Sequence, residues 1–280
     1  MAHAETVNIE SRGASLAGTL ILPPDPALAV LISPATGAPA AYYRAFAEWL
    51  ADERQAACLL FDYRDFGASA SLASGNIRAS HASMTDWGVH DASAARQWLR
   101  TRLPNLPLWV IGHSLGGMAL PFQPELGQIN RAITVAAGPG HVSEHPWPFR
   151  AQALALWYLL GPVSVTLLGY LPGRLLGLGS DLPAPVFRQW RLWCTQRASL
   201  MGDPALPAPE RPGLTCPVKL IAIADDVMIP PEAVWRLGDW MPAATLSHQT
   251  ITPADYGLRC VGHIAPFSPR NRALWPDLIA

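Results

Sequence analysis

Lysine is almost missing from this 280-residue chain: of its 20 basic residues only Lys219 is one. Charge of either sign is thin, with 15% charged residues and a net charge of −1. A protein that holds nucleic acid by phosphate attraction needs a basic surplus, so no nucleic-acid partner is expected. Cysteine is scarce and scattered, at Cys58, Cys194, Cys216 and Cys260. There is no CxxC pair and no His-rich spacing that would suggest a metal site. Four free thiols in a reducing compartment are expected, which makes the protein cytoplasmic. The first residues, "MAHAETVNIESRG", lack an apolar run, so no secretory signal is expected. Half of the residues are hydrophobic, enough for a sizeable core and against disorder.

Charge is absent altogether from residues 151–173, "AQALALWYLLGPVSVTLLGYLPG". The length approaches that of a membrane span. Gly161-Pro162 falls in its middle, and Gly169 and Pro172 lie near its end, so two short helices are expected there. Membrane contact is possible on this reading but not favoured.

Around that stretch the chain alternates short apolar runs with helical patterns. Val7–Glu10 and Leu16–Leu22 read as a hairpin about Ser11-Arg12-Gly13. Residues 27–35, 56–63, 108–114, 131–138, 218–224 and 245–252 read as further strands, several of them continuous apolar runs suited to burial on both faces. Helices are expected over 41–53, 85–102, from Leu115, over 231–240 and over 268–279. The pattern predicts an α/β fold: a mainly parallel eight-stranded sheet with helices on both faces. The alternation fails over 139–215. These residues are expected to form a helical insertion after the sixth strand, with 1–138 and 216–280 as the core.

The stretch "VIGHSLGGMAL" carries the chemistry. G-x-S-x-G occupies Gly112–Gly116, after a buried strand and before a helix. That context lifts a serine hydroxyl above the sheet and aims the amide of the next residue, Leu115, at a reacting carbonyl oxygen. A serine is a poor nucleophile until a histidine takes its proton and a carboxylate orients that histidine. In this architecture the chain order is serine, acid, histidine. "VKLIAIADDVMIPP" offers Asp225 and Asp226 just after a strand, and "RCVGHIAPF" offers His263 beyond the last strand. The other seven histidines precede the serine, adjoin it, or lie in the insertion or a strand. A second oxyanion donor is expected in "SPATGAP", among the amides of Ala35, Thr36 and Gly37, with Thr36 preferred.

With these residues in place the chain resembles the α/β-hydrolase superfamily over nearly its whole length, through "GHSLGG", "FDYRDFGAS", "DDVMIP" and "VGHIAPF". Within it the chain is similar to a bacterial group of predicted serine hydrolases, esterase- or lipase-like. That group shares "ATG" in the oxyanion loop, "DWG" before the elbow, and LPxxVxxQWxxWC in the cap, here "LPAPVFRQWRLWC" over 182–194. The resemblance selects Asp226 as the acid, because the acid of such sequences precedes a run like "VMIP". It also makes 139–215 a cap. Two departures stand out: the oxyanion loop begins Pro34-Ala35 where His-Gly is usual, and Asp65 replaces the first glycine of D-x-R-G-x-G-x-S.

The expectation is a serine hydrolase acting on a carboxylic ester through Ser114, Asp226 and His263, with an apolar or lipid-like acyl substrate and no cofactor. Acyl transfer, thioester cleavage or exopeptidase activity on the same triad is the alternative. Trp147, Trp157 and Trp190 in the insertion are candidate walls of the substrate pocket.

Overall fold

The computed structural model describes residues 2–73 and 75–280. Met1 and Ser74, both inside the expected core segment 1–138, lie outside the described residues. The chain runs β1 (His3–Ser11), β2 (Ala14–Leu22), β3 (Leu28–Ser33), α1 (Arg44–Arg54), β4 (Ala56–Phe61), α2 (Ala92–Arg102), β5 (Leu108–His113), α3 (Leu115–Met118) and β6 (Arg131–Val135). The insertion comes next, with α4 (Phe149–Ala155), α5 (Gly161–Leu168), a small hairpin of β7 (Tyr170–Leu171) and β8 (Leu182–Pro183), and α6 (Ala184–Thr195). The core resumes with β9 (Pro217–Ile223), α7 (Pro231–Arg236), β10 (Thr245–Ile251) and α8 (Trp275–Ile279).

Among the described residues, eight strands form one sheet in the order β1-β2-β4-β3-β5-β6-β9-β10. The leading hairpin is antiparallel to itself and to β4, and every other pair is parallel. The apolar runs of the middle strands have a simple cause: alternate residues enter different cores. In β3, Leu31 joins one cluster while Val30 and Ile32 join the other; in β4, Leu59 and Phe61 part from Cys58 and Leu60 in the same way. One face is covered by α1 and α8, where Phe46, Trp49 and Trp275 pack ring against ring. The other is covered by α2, α3 and α7 through Leu99, Leu115 and Val234. Each such side chain contributes about 1.5–3 kcal/mol by leaving water.

Parallel register aligns the strand ends. Ser33 pairs with Gly112, His113 with Val135, and Val135 with Ile221. The carboxyl ends of β3, β5, β6 and β9 are therefore level, and the loops leaving them meet at one edge, where ligands bind in parallel sheets.

The structure corrects several expectations. Gly161-Pro162 does not divide the apolar stretch: Phe149–Leu168 is one continuous 20-residue helix. A wider π-helical turn at Leu156–Leu160 precedes the proline and absorbs the missing N–H, so its ring does not strike the previous turn. Gly161 faces Phe187 of α6, and a Cβ there would sit 2.1 Å from that ring. The helix expected over 85–102 likewise opens with a π-helical turn, Asp86–Asp91. The helix after Ser114 is only four residues long, because Pro121 lies just beyond it and the chain turns to a 3-10 segment. The C-terminal helix is broken too, 3-10 over Pro269–Leu274 and α only from Trp275.

Candidate active site

Ser114 sits at the tip of β5 with φ 51 and ψ −115, a conformation L-residues rarely adopt and one that packing must enforce. Gly116 allows it: a Cβ at that position would lie 2.2 Å from the Ser33 carbonyl oxygen at the end of β3. Across the edge, His263 presents Nε2 to the Ser114 Oγ at 3.0 Å and Nδ1 to Asp226 Oδ2 at 2.7 Å. A carboxylate only accepts, so Nδ1 carries the proton and Nε2 is left to accept the serine hydroxyl. The carboxylate is itself held. Asp226 Oδ1 accepts the amides of Met228 at 2.7 Å and Ile229 at 3.1 Å.

The two aspartates divide the work. Asp225 turns away from the imidazole and accepts the Gly262 amide at 2.8 Å and the Val261 amide at 2.9 Å. It thereby fastens the loop that carries His263. The sequence left open whether Asp225 shares the acid role; its carboxylate meets these amides instead.

A second set of bonds joins the three loops from below. His113, fully buried, reaches the His263 carbonyl through Nε2 at 2.9 Å. That carbonyl accepts only, so Nε2 bears the hydrogen and Nδ1 accepts from the Tyr43 hydroxyl at 2.7 Å. Tyr43 in turn accepts the Ala35 amide at 2.9 Å. Burial, with His263 nearby, pushes the His113 pKa down to about 3, so it stays neutral and the relay keeps one direction. Sequence reasoning passed over Tyr43, which lies in an ordinary-looking "AAYYR" run.

The relay also sorts the oxyanion candidates. Ala35 spends its amide on Tyr43. Among the described residues, the amides of Thr36 and Leu115 have no acceptor in the chain, and both residues line the cavity beside Ser114. With α3 only four residues long, the Leu115 contribution rests on its own N–H and not on a long helix behind it.

The cavity has a volume of about 40 Å³. The core supplies Met84, Met118 and Ile229 to its wall, and the insertion supplies Trp190, Trp193 and Cys194. The "QWxxWC" run thus acquires a physical meaning. Gln189 bonds the Thr85 backbone and hydroxyl, at 3.0 and 2.8 Å, and reaches Asp203. Trp193 donates its indole N–H to the same Asp203 at 2.7 Å. Burial pushes the Cys194 thiol up to about 12, which removes it as a rival nucleophile near neutral pH. Of the three tryptophans expected on the wall, only Trp190 is there. Trp157 stands behind it, packed on Phe187 and Trp190, because Gly161 lets α6 close against that helix. Trp147 is 67% exposed and away from the cleft.

The departures from the family pattern are accommodated. Asp65 takes up the positive φ (57) that a glycine would supply, and Ser80 donates to its carboxylate at 2.6 Å. Asp62 accepts the Ala40 and Ala68 amides at 2.7 and 2.8 Å, tying the loop after β4 to the loop after β3. Among the described residues no cluster of three His, Cys, Asp or Glu side chains could hold a metal.

No curated protein matches the sequence. Solved structures do. The fold is similar to that of an esterase from Pyrococcus furiosus at 16% identity and a TM-score of 0.60, over 99% of this chain and 88% of that one. It is also similar to a thermophilic esterase from Thermogutta terrifontis, at 17% identity and 0.58, over 98% and 96% of the two chains. A serine hydrolase without a lid from Xanthomonas campestris aligns at 14% identity and 0.54, over 99% and 94%. The model of the alpha/beta hydrolase family matches residues 13–274. The strained serine at a strand tip, the level carboxyl edge and this match agree: the chain belongs to the α/β-hydrolase family.

Proposed function

We propose that this chain is a serine hydrolase that cleaves a carboxylic ester through an acyl-enzyme. One observation carries the reading: the aligned contacts from Ser114 Oγ to His263 Nε2 at 3.0 Å and from His263 Nδ1 to Asp226 Oδ2 at 2.7 Å. The esterases of similar fold support the ester as substrate. In the reading, Ser114 Oγ attacks the carbonyl carbon while Nε2 takes the hydroxyl proton. Asp226 stabilises the imidazolium so formed. The oxyanion is met by the Leu115 and Thr36 amides, whose donors are otherwise unused. The tetrahedral adduct collapses, Nε2–H gives its proton to the departing alkoxide, and the alcohol leaves. Water then loses a proton to Nε2 and attacks the acyl carbon, and Ser114 recovers its hydrogen as the acid departs.

Substrate size is set by the wall. A space of about 40 Å³ holds only a few water molecules. A short acyl group suits a space of this size, and a long chain would need part of the wall to move. The apolar, lipid-like acyl group expected from the composition of the insertion is therefore narrowed to a short one.

A p-nitrophenyl ester series from acetate to long acyl chains tests this. Turnover is expected to peak at the short end and to fall by about 10⁴-fold or more in Ser114→Ala, with an unchanged circular dichroism spectrum. Hydrolysis that survives Ser114→Ala, or a folded wild type that turns over no ester, overturns the reading. Preferred transfer to an added alcohol or thiol would make the chain an acyltransferase on the same groups.

A further inference from the structure

The insertion carries an apolar surface that neither the cleft nor the core uses. The most apolar 18-residue stretch of the helix Phe149–Leu168 has a mean hydropathy of 1.5, and only 22% of it is buried. Its inner stripe, Ala153, Trp157, Gly161 and Val165, packs into the protein. Its outer side is just as apolar: Leu159 is 59% exposed, Val163 48% and Leu167 76%, and Leu175 beyond it is 84% exposed. A single exposed leucine needs no account, but a contiguous run of them on one helix does.

The charge around this face indicates what covers it. Over the insertion, residues 139–215, six arginines, at 150, 174, 188, 191, 197 and 211, stand against four acids, Glu144, Asp181, Asp203 and Glu210. That is a local +2 in a chain whose net charge is −1. Cations also stand beside the exposed stretch at both ends. The Arg191 guanidinium lies 5.4 Å from the ring centroid of Tyr158. Arg78 donates to the Leu168 carbonyl at 2.8 Å, capping the helix, and lies over Tyr170. Guanidinium groups fixed beside exposed apolar side chains suit an interface of acyl chains and phosphates. A second copy of this chain fits poorly, since a symmetric contact would set one net-positive rim against another. A bilayer crossing fits poorly too, because the inner stripe is held against Phe187 of α6.

We propose that this face docks on a bilayer bearing anionic lipid, with the helix lying in the interface and Leu159, Val163 and Leu167 immersed. Such docking does not depend on the ester chemistry.

Co-sedimentation of the full chain with sucrose-loaded vesicles tests it. Vesicles of phosphatidylcholine mixed with phosphatidylglycerol are expected to pellet the protein, those of phosphatidylcholine alone to pellet less, and high salt to release it. The double variant Leu159→Ser/Leu167→Ser should weaken binding at least tenfold. Arg174→Glu/Arg188→Glu should weaken it about tenfold on anionic vesicles only. All four positions are at the surface, so each variant should keep the wild-type melting temperature. The proposal is overturned if folded wild type stays in the supernatant with both vesicles, or if it pellets equally with the leucine variant. It is also overturned if a concentration-dependent dimer appears that the same leucine substitutions abolish.

Discussion

Around His263, position is set by hydrogen bonds; among the tryptophans at the centre of the insertion, position is set mainly by packing. The histidine loop is held at Val261 and Gly262 by Asp225, at the His263 carbonyl by His113, and at the imidazole by Asp226. In the insertion Trp157 stacks on Phe187 and meets Trp190 edge to face, and among the described residues its buried indole N–H has no partner. Directional bonds fix atoms to the few tenths of an ångström that proton transfer needs. Packing fixes a shape and excludes water, and it serves a wall well enough. Hydrogen bonds join the insertion to the core at several places: Gln189 to Thr85, Arg78 to the Leu168 carbonyl, and Glu210 to the Glu125 and Leu126 amides. Gln189 sits one residue before Trp190, which is on the wall itself.

The two aspartates give the largest test of this contrast. Asp226→Asn removes the acceptor that fixes the imidazole tautomer and is expected to lower kcat about 10⁴-fold. Asp225→Asn keeps one acceptor oxygen for the loop amides and should lower kcat by about tenfold, with KM for a short ester little changed. Equal losses from the two substitutions would break the division of labour. Next in size is a pair within the insertion. Trp193→Ala removes a buried ring and leaves Asp203 short of a donor, which should destabilise the fold by about 3–5 kcal/mol. Leu167→Ala, on the exposed outer stripe, should stay within about 0.5 kcal/mol. Urea unfolding measures both.

The same contrast explains what was legible in the sequence. The eight strands, their alternation with helices and the three side chains that the fold brings together, Ser114, Asp226 and His263, could be read, because buried strands repeat apolar residues and the elbow needs small neighbours. What escaped depended on contacts across the fold. Nothing local marks Tyr43, whose partners lie 8 and 70 positions away. The "VMIP" run points to Asp226, but nothing local shows what Asp225 does, since its partners lie in a distant loop. The insertion misled for a different reason. Trp147, Trp157 and Trp190 look alike in sequence, and only the fit of Gly161 against Phe187 places one on the wall and one behind it. Gly161-Pro162 misled too, since a π-helical turn lets a proline stand within a continuous helix.

The smallest effect expected on kcat is also the sharpest probe of the relay under the site. Tyr43→Phe leaves the Ala35 amide and His113 Nδ1 without partners in a buried place, a loss of about 1–3 kcal/mol. If Tyr43 only filled space, kcat and KM would both be untouched in the folded fraction. Because its hydroxyl holds the Ala35 amide next to Thr36, kcat should fall by a few-fold to tenfold while KM holds. The pH profile of stability adds an independent readout. With a folded pKa of about 3 against an ordinary 6.5, His113 resists protonation in the folded state. The stability that depends on its neutrality is complete above pH 6.5 and declines by about 1.4 kcal/mol per pH unit as pH falls from 6.5 toward 3. His113→Gln, which keeps a donor for the His263 carbonyl but cannot titrate, should flatten that decline. An unchanged slope in urea unfolding across this range would show that another group carries it, and that the relay does not need a neutral imidazole.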